Sequence, residues 1–356
     1  MKLGIIADDF TGASDIAGFL ALGGLKTIMY NGVPTQEPPV DIDAVVISLK
    51  IRSCAPGRAV DEALASLAFL RQWGCTKYYY KYCSTFDSTS EGNIGPVVDA
   101  LMDALGVEQT IICPALPVNG RTVCHGYLFV GSDLLSDSPM RHHPITPMRE
   151  SKLARLMEGQ GRGSACHIFH ETVGAGVGAV RAQLERIKQT GFRYIVFDTL
   201  DDEDLAVIAE ATDEMVLVTG GSGLAIGITE VLNRTHGISR DEGSAFTPLV
   251  HPAVIISGSC SAQTNIQVAH YRNLAPSRRI EEEAALTSPA DHAADLASWV
   301  LAHNDGPYAP LLSATRSAEE LEENRTRYGN ADVSAAIETV VAQVVKSLYA
   351  GGIRTF

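Results

Sequence analysis

The sequence of 356 residues has no Walker A loop, no GxGxxG turn and no CxxC pair. The missing turns exclude the commonest phosphate loops of P-loop enzymes and weaken the case for a dinucleotide-dependent oxidoreductase. The seven cysteines are odd in number and lie mostly in apolar runs, which predicts reduced thiols rather than a disulfide framework.

Long apolar runs and positive charge are also scarce. No run reaches the ~20 apolar residues that span a bilayer, and the apolar stretch within the first ten residues is too short to predict a signal peptide. There are 28 Lys and Arg against 42 Asp and Glu, a formal net charge of -14. This acidity disfavours nucleic acid and anionic membranes as partners. An anionic ligand would need local cations, helix N-termini or a metal ion in its site to offset this charge. Because no membrane span or signal peptide is predicted, we expect a cytoplasmic protein.

Short apolar runs alternate with segments of helical period, which is typical of α/β proteins with a mainly parallel sheet. Several runs end in polar or glycine-rich residues, and the carboxyl ends of such strands form the ligand crevice. The predicted strands are Lys2–Ala7, Ala44–Leu49, Lys77–Tyr82, Gln109–Cys113, Ala165–Phe169, Tyr194–Asp198 and Met215–Thr219. The predicted helices between them are Ala59–Trp73, Val97–Leu105, Val177–Gln189 and Glu203–Ala211.

A change of composition after Asn233 predicts two α/β domains with a ligand cleft between them. The domains are residues 1–234 and 253–356, joined by a linker or crossover over 235–252 that includes the polar stretch Thr235–Pro248. In the second domain, strands are predicted from Ala253 and over Pro310–Ala314, and a helix over Val333–Leu348. Because Gly351–Phe356 resembles a helix cap and the start of a strand, we expect the chain to continue beyond it.

The first strand leads into a turn that carries two adjacent carboxylates, Asp8 and Asp9. Thr11 or Ser14 could cap the following helix, leaving its N–H groups directed at an anion. Asp8 and Asp9 could then bind the hydroxyls of a polyol, or deprotonate one. The alternative is that Asp9 only caps the helix and Asp8 is solvated.

Two further loops are rich in polar side chains. Lys81–Gly95 contains Ser84, Asp87 and many other hydroxyl and amide side chains. These groups could bind a hydroxylated ligand, or they could belong to an ordinary turn that caps a helix. Pro114–Val123 holds Asn119 and Arg121, and the arginine could grip a carboxylate with two parallel bonds.

Two glycine–serine turns could approach phosphate oxygens, although each could equally be a plain strand-to-helix turn. They are Thr219–Ala225 and Ser257–Ser261. The pair His142 and His143 has no matching cysteine or carboxylate spacing, so no metal site is predicted.

In this order, the motifs resemble those of the four-carbon acid sugar kinases, most closely the 3-oxo-tetronate kinase branch. The resemblance extends from Lys2 to Phe356. It is carried by the segments AspAspPheThrGly, SerThrPheAspSerThrSerGluGlyAsn, CysProAlaLeuProValAsnGlyArgThr, HisProIleThrProMet, ThrGlyGlySerGly and SerGlySerCysSer.

The resemblance implies an N-terminal domain that binds the sugar acid and a C-terminal domain that binds ATP with Mg²⁺. It also implies transfer of the γ-phosphoryl group to the 4-hydroxyl, with Asp9 or Asp87 orienting or deprotonating it. The positions implied for the sugar acid are Asp8, Asp9, Thr11, Lys81, Ser84, Asp87, Asn119 and Arg121. Those implied for the nucleotide are Ser257, Gly258 and Ser259.

Two departures from the family pattern bear on this interpretation. Relatives that act on threonate or erythronate usually have an arginine where this chain has Glu91, which favours the oxo-tetronate branch. The family also continues past Phe356 into glycine-rich loops taken to hold ATP phosphates. A D-threonate or D-erythronate kinase and a non-catalytic sugar-acid-binding protein remain alternatives. A homodimer is compatible with the sequence, which does not determine the oligomeric state.

Overall fold

The computed structural model describes residues 2–36, 38–143, 146–236 and 252–356. The chain divides into two compact units, Met1–Ser244 and Ala245–Phe356. The predicted linker, residues 235–252, lies almost wholly outside the described residues.

The N-terminal unit is built on one sheet of eight strands, in which every neighbouring pair is parallel. Its order is β2-β3-β1-β4-β11-β5-β10-β9, with the strands numbered along the chain. They are β1 (Leu3–Ala7), β2 (Thr27–Asn31), β3 (Ala44–Ser48), β4 (Lys77–Lys81), β5 (Thr110–Cys113), β9 (Ala165–Ile168), β10 (Tyr194–Phe197) and β11 (Leu217–Gly220).

Helices cover both faces of this sheet because successive strand residues point to opposite sides. Ile6 and Tyr80 belong to one buried cluster, whereas their chain neighbours Ile5 and Tyr79 belong to the other. The helices of this unit are α1 (Phe10–Leu22), α2 (Pro56–Gln72), α3 (Ile94–Leu105), α4 (Leu153–Glu158), α5 (His170–Val173), α6 (Val177–Ile187), α7 (Asp202–Ala211) and α8 (Leu224–His236).

The central strands β1 and β4 run parallel, but the connections that leave them cross the sheet in opposite directions. After β1 the chain runs through α1 towards β2, on one side of the sheet order, and α1 packs into the cluster that holds Ile5. After β4 it runs through α3 towards β5, on the other side, and α3 packs into the opposite cluster. Such a switch point leaves a crevice at the carboxyl ends of the two strands. Asp8 and the segment after Lys81 occupy this position.

The predicted α/β class and the mainly parallel sheet are confirmed, and all seven strands predicted in this unit lie within two residues of observed ones. Strand β2 was missed because Thr27–Asn31 is a half-exposed edge strand without clear alternation. A small antiparallel sheet was also missed. It consists of β6 (Arg121–Cys124), β7 (Tyr127–Val130) and β8 (Asp133–Leu134).

The C-terminal unit has a three-stranded parallel sheet of order β12-β14-β13. Its strands are β12 (Ile255–Ser257), β13 (Ser277–Arg279) and β14 (Leu311–Ser313). Its helices are α9 (Ala262–Tyr271), α10 (Glu282–Thr287), α11 (Pro289–Ala302), α12 (Ala318–Tyr328) and α13 (Asn330–Ala350). After α13, Thr355 forms an isolated parallel bridge with Ala253, as the predicted strand start suggested.

Among the described residues, one helical stretch is long and apolar enough to cross a membrane by length and composition alone. It is Val333–Ala350, with a mean hydropathy of 1.2. In this structure the helix contributes Val340, Val344 and Leu348, each fully buried, to the core of the C-terminal unit. A core helix passes the same test, so the stretch is weak evidence for a membrane span.

A buried lysine gives the N-terminal unit a testable pH dependence. Lys77 donates hydrogen bonds to the carbonyls of Thr212 (3.0 Å) and Asp213 (2.7 Å) beyond the end of α7. Burial lowers the pKa of Lys77 to about 8, although Asp213 partly opposes the shift. The pKa of a lysine in an unfolded chain is about 10.4. Between pH 8 and this value the unfolded chain therefore binds more protons than the folded chain, and the free energy of unfolding rises with pH.

We therefore expect the Lys77→Met variant to lack this rise. Relative to the variant, the wild-type free energy of unfolding should increase by about 3 kcal/mol between pH 7 and pH 10.5. Urea unfolding at a series of pH values measures the difference. Lys188→Met, at an exposed lysine on the same unit, is the matched control and should show no such trend. A pH-independent difference for Lys77→Met would contradict the prediction.

Candidate active site

Asp9 begins helix α1 at the carboxyl end of β1. Its backbone is extended, and its Oδ1 accepts a hydrogen bond from the N–H of Gly12 at 2.8 Å. Asp9 therefore caps the helix, as the alternative interpretation held, and the suggestion of Thr11 or Ser14 is wrong; Asp8, however, is buried rather than solvated. Thr11 is exposed, and the Ser14 hydroxyl donates to its carbonyl. Asp9 was better placed for capping because it is the last extended residue before the helix.

Arg52, which the sequence analysis did not single out, binds the paired aspartates. Its Nε and Nη2 donate to the two carboxylate oxygens of Asp8 at 2.8 and 2.9 Å. Nη2 also lies 2.8 Å from Oδ1 of Asp9, and Nη1 lies 3.8 Å from Oδ2 of Asp87. One guanidinium therefore joins three carboxylates from two different loops.

The charges in this cluster affect one another strongly. Burial opposes the charge of Arg52, but the Asp8 carboxylate outweighs it, so the pKa of Arg52 is raised and the cation persists. Burial raises the pKa of Asp9 and Asp8 adds to the shift, whereas Arg52 and Lys81 partly offset it. Asp9 is thus more readily protonated than an ordinary aspartate.

The segment after β4 holds Asp87 in a tight turn. The N–H of Phe86 donates to the carbonyl of Cys83 at 3.0 Å, and Phe86 has a φ of 50°. This left-handed conformation is unusual for an aromatic residue, and burial of its ring against Tyr82 supports it. The Thr85 hydroxyl donates to Oδ1 of Asp87 at 2.6 Å. Oδ2 of Asp87 accepts no hydrogen bond from the described residues and remains available.

Asn93 connects the loop of Asp87 to the loop of Arg52. Its side-chain amide donates to the carbonyls of Ile51 at 2.6 Å and Cys54 at 2.8 Å, on either side of Arg52. Asn93 is buried, so these bonds fix the backbone from which the guanidinium extends. The polar loop Lys81–Gly95 therefore also has a structural role.

Lys81 brings a second cation to the same place. It ends β4 opposite Ala7, is only 3% exposed, and its ammonium lies against the Cα of Gly12. Within the described ranges, Nζ makes no hydrogen bond and has no carboxylate within 4 Å, although its charge acts on Asp9. Nζ is not among the side-chain atoms that are shut off from solvent without a partner, so its charge is accessible to an anionic ligand.

The other residues predicted for the sugar acid are not in this hydrogen-bonded cluster. Ser84 is half-buried and Asn119 is exposed in a short 3₁₀ turn after β5. Arg121 starts β6 and donates from Nη1 to the carbonyl of Asn119, while its buried Nε has no hydrogen-bond partner among the described residues. Asn119 and Arg121 follow β5, which is separated from β4 by β11, whereas Ser84 follows β4 itself.

The glycines of Thr219–Ala225 allow the backbone of this segment to pack closely against the residues that follow β5. A Cβ atom on Gly220 or Gly221 would collide with the carbonyl oxygens of Cys113 or Pro114. Ser222 is buried and donates to the carboxylate of Asp15 on α1. The plain-turn alternative explains this segment without a phosphate.

The turn Ser257–Ser261 lies at the carboxyl end of β12 and leads into α9. Ser261 caps that helix by accepting from the N–H of Thr264 at 3.1 Å, and the Ser257 hydroxyl is 2.7 Å from that of Thr315. No atom of the described residues lies within 4 Å of the Cβ position of Gly258, so its backbone is open to a ligand. Ser259 is exposed in the same turn.

An open cavity of about 330 Å³ adjoins this turn within the C-terminal unit. Its lining includes Gly258 and Cys260 of the turn, the charged side chains of Glu282 and Arg316, and the apolar side chains of Leu321, Val333 and Ile337. A lining with both polar and apolar groups is compatible with the phosphate and base of a nucleotide.

The paired histidines do not form a metal site within the part of the chain that is described. The His143 ring accepts from the N–H of Thr146 at 3.0 Å, and Pro144 and Ile145 lie outside the described residues. The described residues contain no group of three or more His, Cys, Asp or Glu side chains that could hold a metal ion.

Comparisons with known proteins cover the chain almost completely. The family described as "Sugar-binding N-terminal domain" matches residues 3–228, and "Nucleotide-binding C-terminal domain" matches residues 254–356. Two curated proteins named 3-oxo-tetronate kinase, from Brucella melitensis and Escherichia coli K12, are each 49% identical over 100% of this chain. The alignments span 82% and 92% of those proteins. A solved structure from Salmonella typhimurium LT2 has a TM-score of 0.87 and 49% identity, covering 99% of this chain and 84% of that one.

Proposed function

Since the chain belongs to the four-carbon acid sugar kinase family, in its 3-oxo-tetronate kinase branch, we propose that it phosphorylates the 4-hydroxyl of a 3-oxo-tetronate with ATP. The premise is that the chain is 49% identical, over its whole length, to proteins of that name. The matches to a sugar-binding and a nucleotide-binding domain agree with a reaction between two small molecules. We also propose that the protein acts in the cytoplasm.

The structural observation that carries the substrate class is the ammonium of Lys81, which lies beside the aspartates and makes no hydrogen bond with the described residues. Its charge would attract the carboxylate of a sugar acid despite the acidic surroundings. Asp8, Asp9 and Asp87 supply acceptors for hydroxyl groups, and Arg52 keeps these carboxylates together. We propose Thr11, Ser84, Asn119 and Arg121 as further contacts around the ligand.

In the proposed mechanism, Asp87 receives the proton of the 4-hydroxyl. Its Oδ2 makes no hydrogen bond with the described residues, whereas Asp9 caps α1 through Gly12 and lies 2.8 Å from Nη2 of Arg52. Because Asp9 is held by both the helix and the arginine, we propose Asp87 as the base and Asp9 as a residue that orients the substrate. Phosphoryl transfer requires little more than positioning and charge stabilisation.

The nucleotide is proposed to bind at Ser257, Gly258 and Ser259, with its phosphates directed at the N-terminus of α9. The open backbone at Gly258 and the adjoining cavity fit such a ligand. ATP supplies the phosphoryl group that is transferred. We propose that Mg²⁺ arrives with the phosphates, since magnesium commonly keeps several waters and only one or two protein ligands.

A coupled assay of ADP formation tests the proposed function. The chain is incubated with ATP and Mg²⁺ and offered 3-oxo-tetronates, D-threonate and D-erythronate in parallel. We expect kcat/KM to be highest for a 3-oxo-tetronate. Higher activity on threonate or erythronate would establish the alternative kinase. Calorimetric binding of the sugar acid without turnover would instead favour a non-catalytic binding protein.

Gly12 offers a test of the Lys81 position. A Cβ atom there would overlap the ammonium of Lys81 and lie 2.5 Å from Oδ1 of Asp9. We expect Gly12→Ala to displace the lysine and lower kcat/KM for the sugar acid about 10- to 100-fold. Gly18→Ala on the same helix is the matched control, because no atom in the described part of the chain lies within 4 Å of that Cβ position. Normal kinetics of Gly12→Ala would remove Lys81 from the substrate site.

A further inference from the structure

Arg52 has one nitrogen that the protein does not use. Nε and Nη2 are occupied by Asp8 and Asp9, but Nη1 makes no hydrogen bond with the described residues. It ends 3.8 Å from Oδ2 of Asp87. This distance is too long for a direct hydrogen bond, so a donor and an acceptor face each other across a gap.

The separation is too short for an atom between Nη1 and Oδ2, but one oxygen atom beside the pair can lie at hydrogen-bond distance from both. It must accept a hydrogen bond from Nη1 and donate one to Oδ2, because Arg52 has only donors and an ionised carboxylate only acceptors. A hydroxyl does both, whereas the ketone and carboxylate oxygens of a 3-oxo-tetronate have no proton to give. The gap therefore distinguishes a hydroxyl from the other oxygens of the substrate.

We propose that Arg52 is a further catalytic residue, whose Nη1 donates to the 4-hydroxyl oxygen while Asp87 accepts its proton. The inference rests on the proposed function and adds a residue to it. In the step, the O4–H bond breaks and the proton passes to Oδ2 of Asp87. The oxygen forms a bond to the γ-phosphorus, and ADP leaves with the electron pair of the broken P–O bond.

The surroundings of Arg52 suit this role. Its two hydrogen bonds to Asp8 fix the plane of the guanidinium, and Asn93 fixes the backbone on both sides of it. A preorganised cation can stabilise the charge that develops on the attacking oxygen without reorganising during the reaction. A lysine at this position would keep the charge but lose the fork that serves Asp8 and the substrate together.

Binding measurements with deoxy analogues test the inference independently of turnover. The probes are 3-oxo-tetronate, its 4-deoxy counterpart 2-hydroxy-3-oxobutanoate, and its 2-deoxy counterpart 4-hydroxy-3-oxobutanoate. Dissociation constants are measured by calorimetry for the wild type, Arg52→Lys and Asp87→Asn. Arg58→Lys is the control, at an exposed arginine that pairs with Glu62 on α2.

We expect loss of the 4-hydroxyl to weaken binding about 30-fold in the wild type and the control, but no more than about 3-fold in Arg52→Lys and Asp87→Asn. Equal losses in the wild type and Arg52→Lys would overturn the inference. The inference would also be overturned if Arg52→Lys reduced the effect of removing the 2-hydroxyl and not the effect of removing the 4-hydroxyl. If Arg52→Lys fails to unfold cooperatively, the double variant Asp8→Asn/Arg52→Gln replaces it with the same expectation.

The two proposals fail in different ways. If the wild type neither binds nor phosphorylates any of the sugar acids, the proposed function falls and this inference with it. If the wild type binds and phosphorylates the 3-oxo-tetronate without coupling between Arg52 and the 4-hydroxyl, only the role of Arg52 is lost.

Discussion

Asp87→Asn is expected to lower kcat for the sugar acid by about 100- to 10,000-fold, the usual contribution of a positioned general base. The amide nearly matches the carboxylate in shape, and its oxygen can still accept from Thr85, so the turn should persist. The substitution replaces Oδ2 by an NH₂ group, which cannot accept the proton of the substrate hydroxyl. Because the nucleotide site is proposed in the other unit, the KM for ATP should change by less than about 3-fold.

Steady-state kinetics with each substrate varied in turn provide the measurement. Asp61→Asn, at an exposed aspartate on α2, is the matched control and should have wild-type kinetics. An unchanged kcat for Asp87→Asn would exclude Asp87 as the base and leave Asp9 as the remaining candidate. A large change in the KM for ATP would show that the aspartate acts on the nucleotide instead.

The fold could be predicted from the sequence because its signals are local. The strands around β1 and β4 are short, apolar and followed by polar or glycine residues, so their type and approximate bounds follow from composition. The edge strand Thr27–Asn31 has no such signal, since it is half-exposed. The antiparallel hairpin depends on the turn at His125 and Gly126, where both residues have positive φ.

The candidate site could be predicted only in part, because motif order gives residues but not contacts. Asp8, Asp9 and Asp87 stand in recognisable motifs, and the structure brings them together. Arg52 stands in no motif and lies 44 residues from Asp8, so sequence spacing could not connect them. One signal was available: Arg52 shortly follows a buried strand, Ala44–Ser48, that pairs with β1. Residues beyond neighbouring parallel strands meet at the same edge of the sheet.

Arg52→Gln is expected to lower the free energy of unfolding by about 3–5 kcal/mol at neutral pH, because it leaves a buried carboxylate without its counter-charge. Asp8 is only 2% exposed and receives two hydrogen bonds from the guanidinium. Protonation would relieve the unpaired charge, so the folded variant binds protons more tightly than its unfolded chain. Its deficit should therefore shrink as the pH is lowered from 7.5 to 5.

The double variant Asp8→Asn/Arg52→Gln tests the cause of this loss. Removing both charges together should restore most of the stability, since replacing a buried ion pair by neutral groups costs far less than breaking it. Urea unfolding of the wild type, both single variants and the double variant completes the cycle. Additive losses would show that the two side chains act independently. Restored stability without restored turnover would instead separate the two roles of the arginine: holding the aspartates together, and contacting the reacting oxygen.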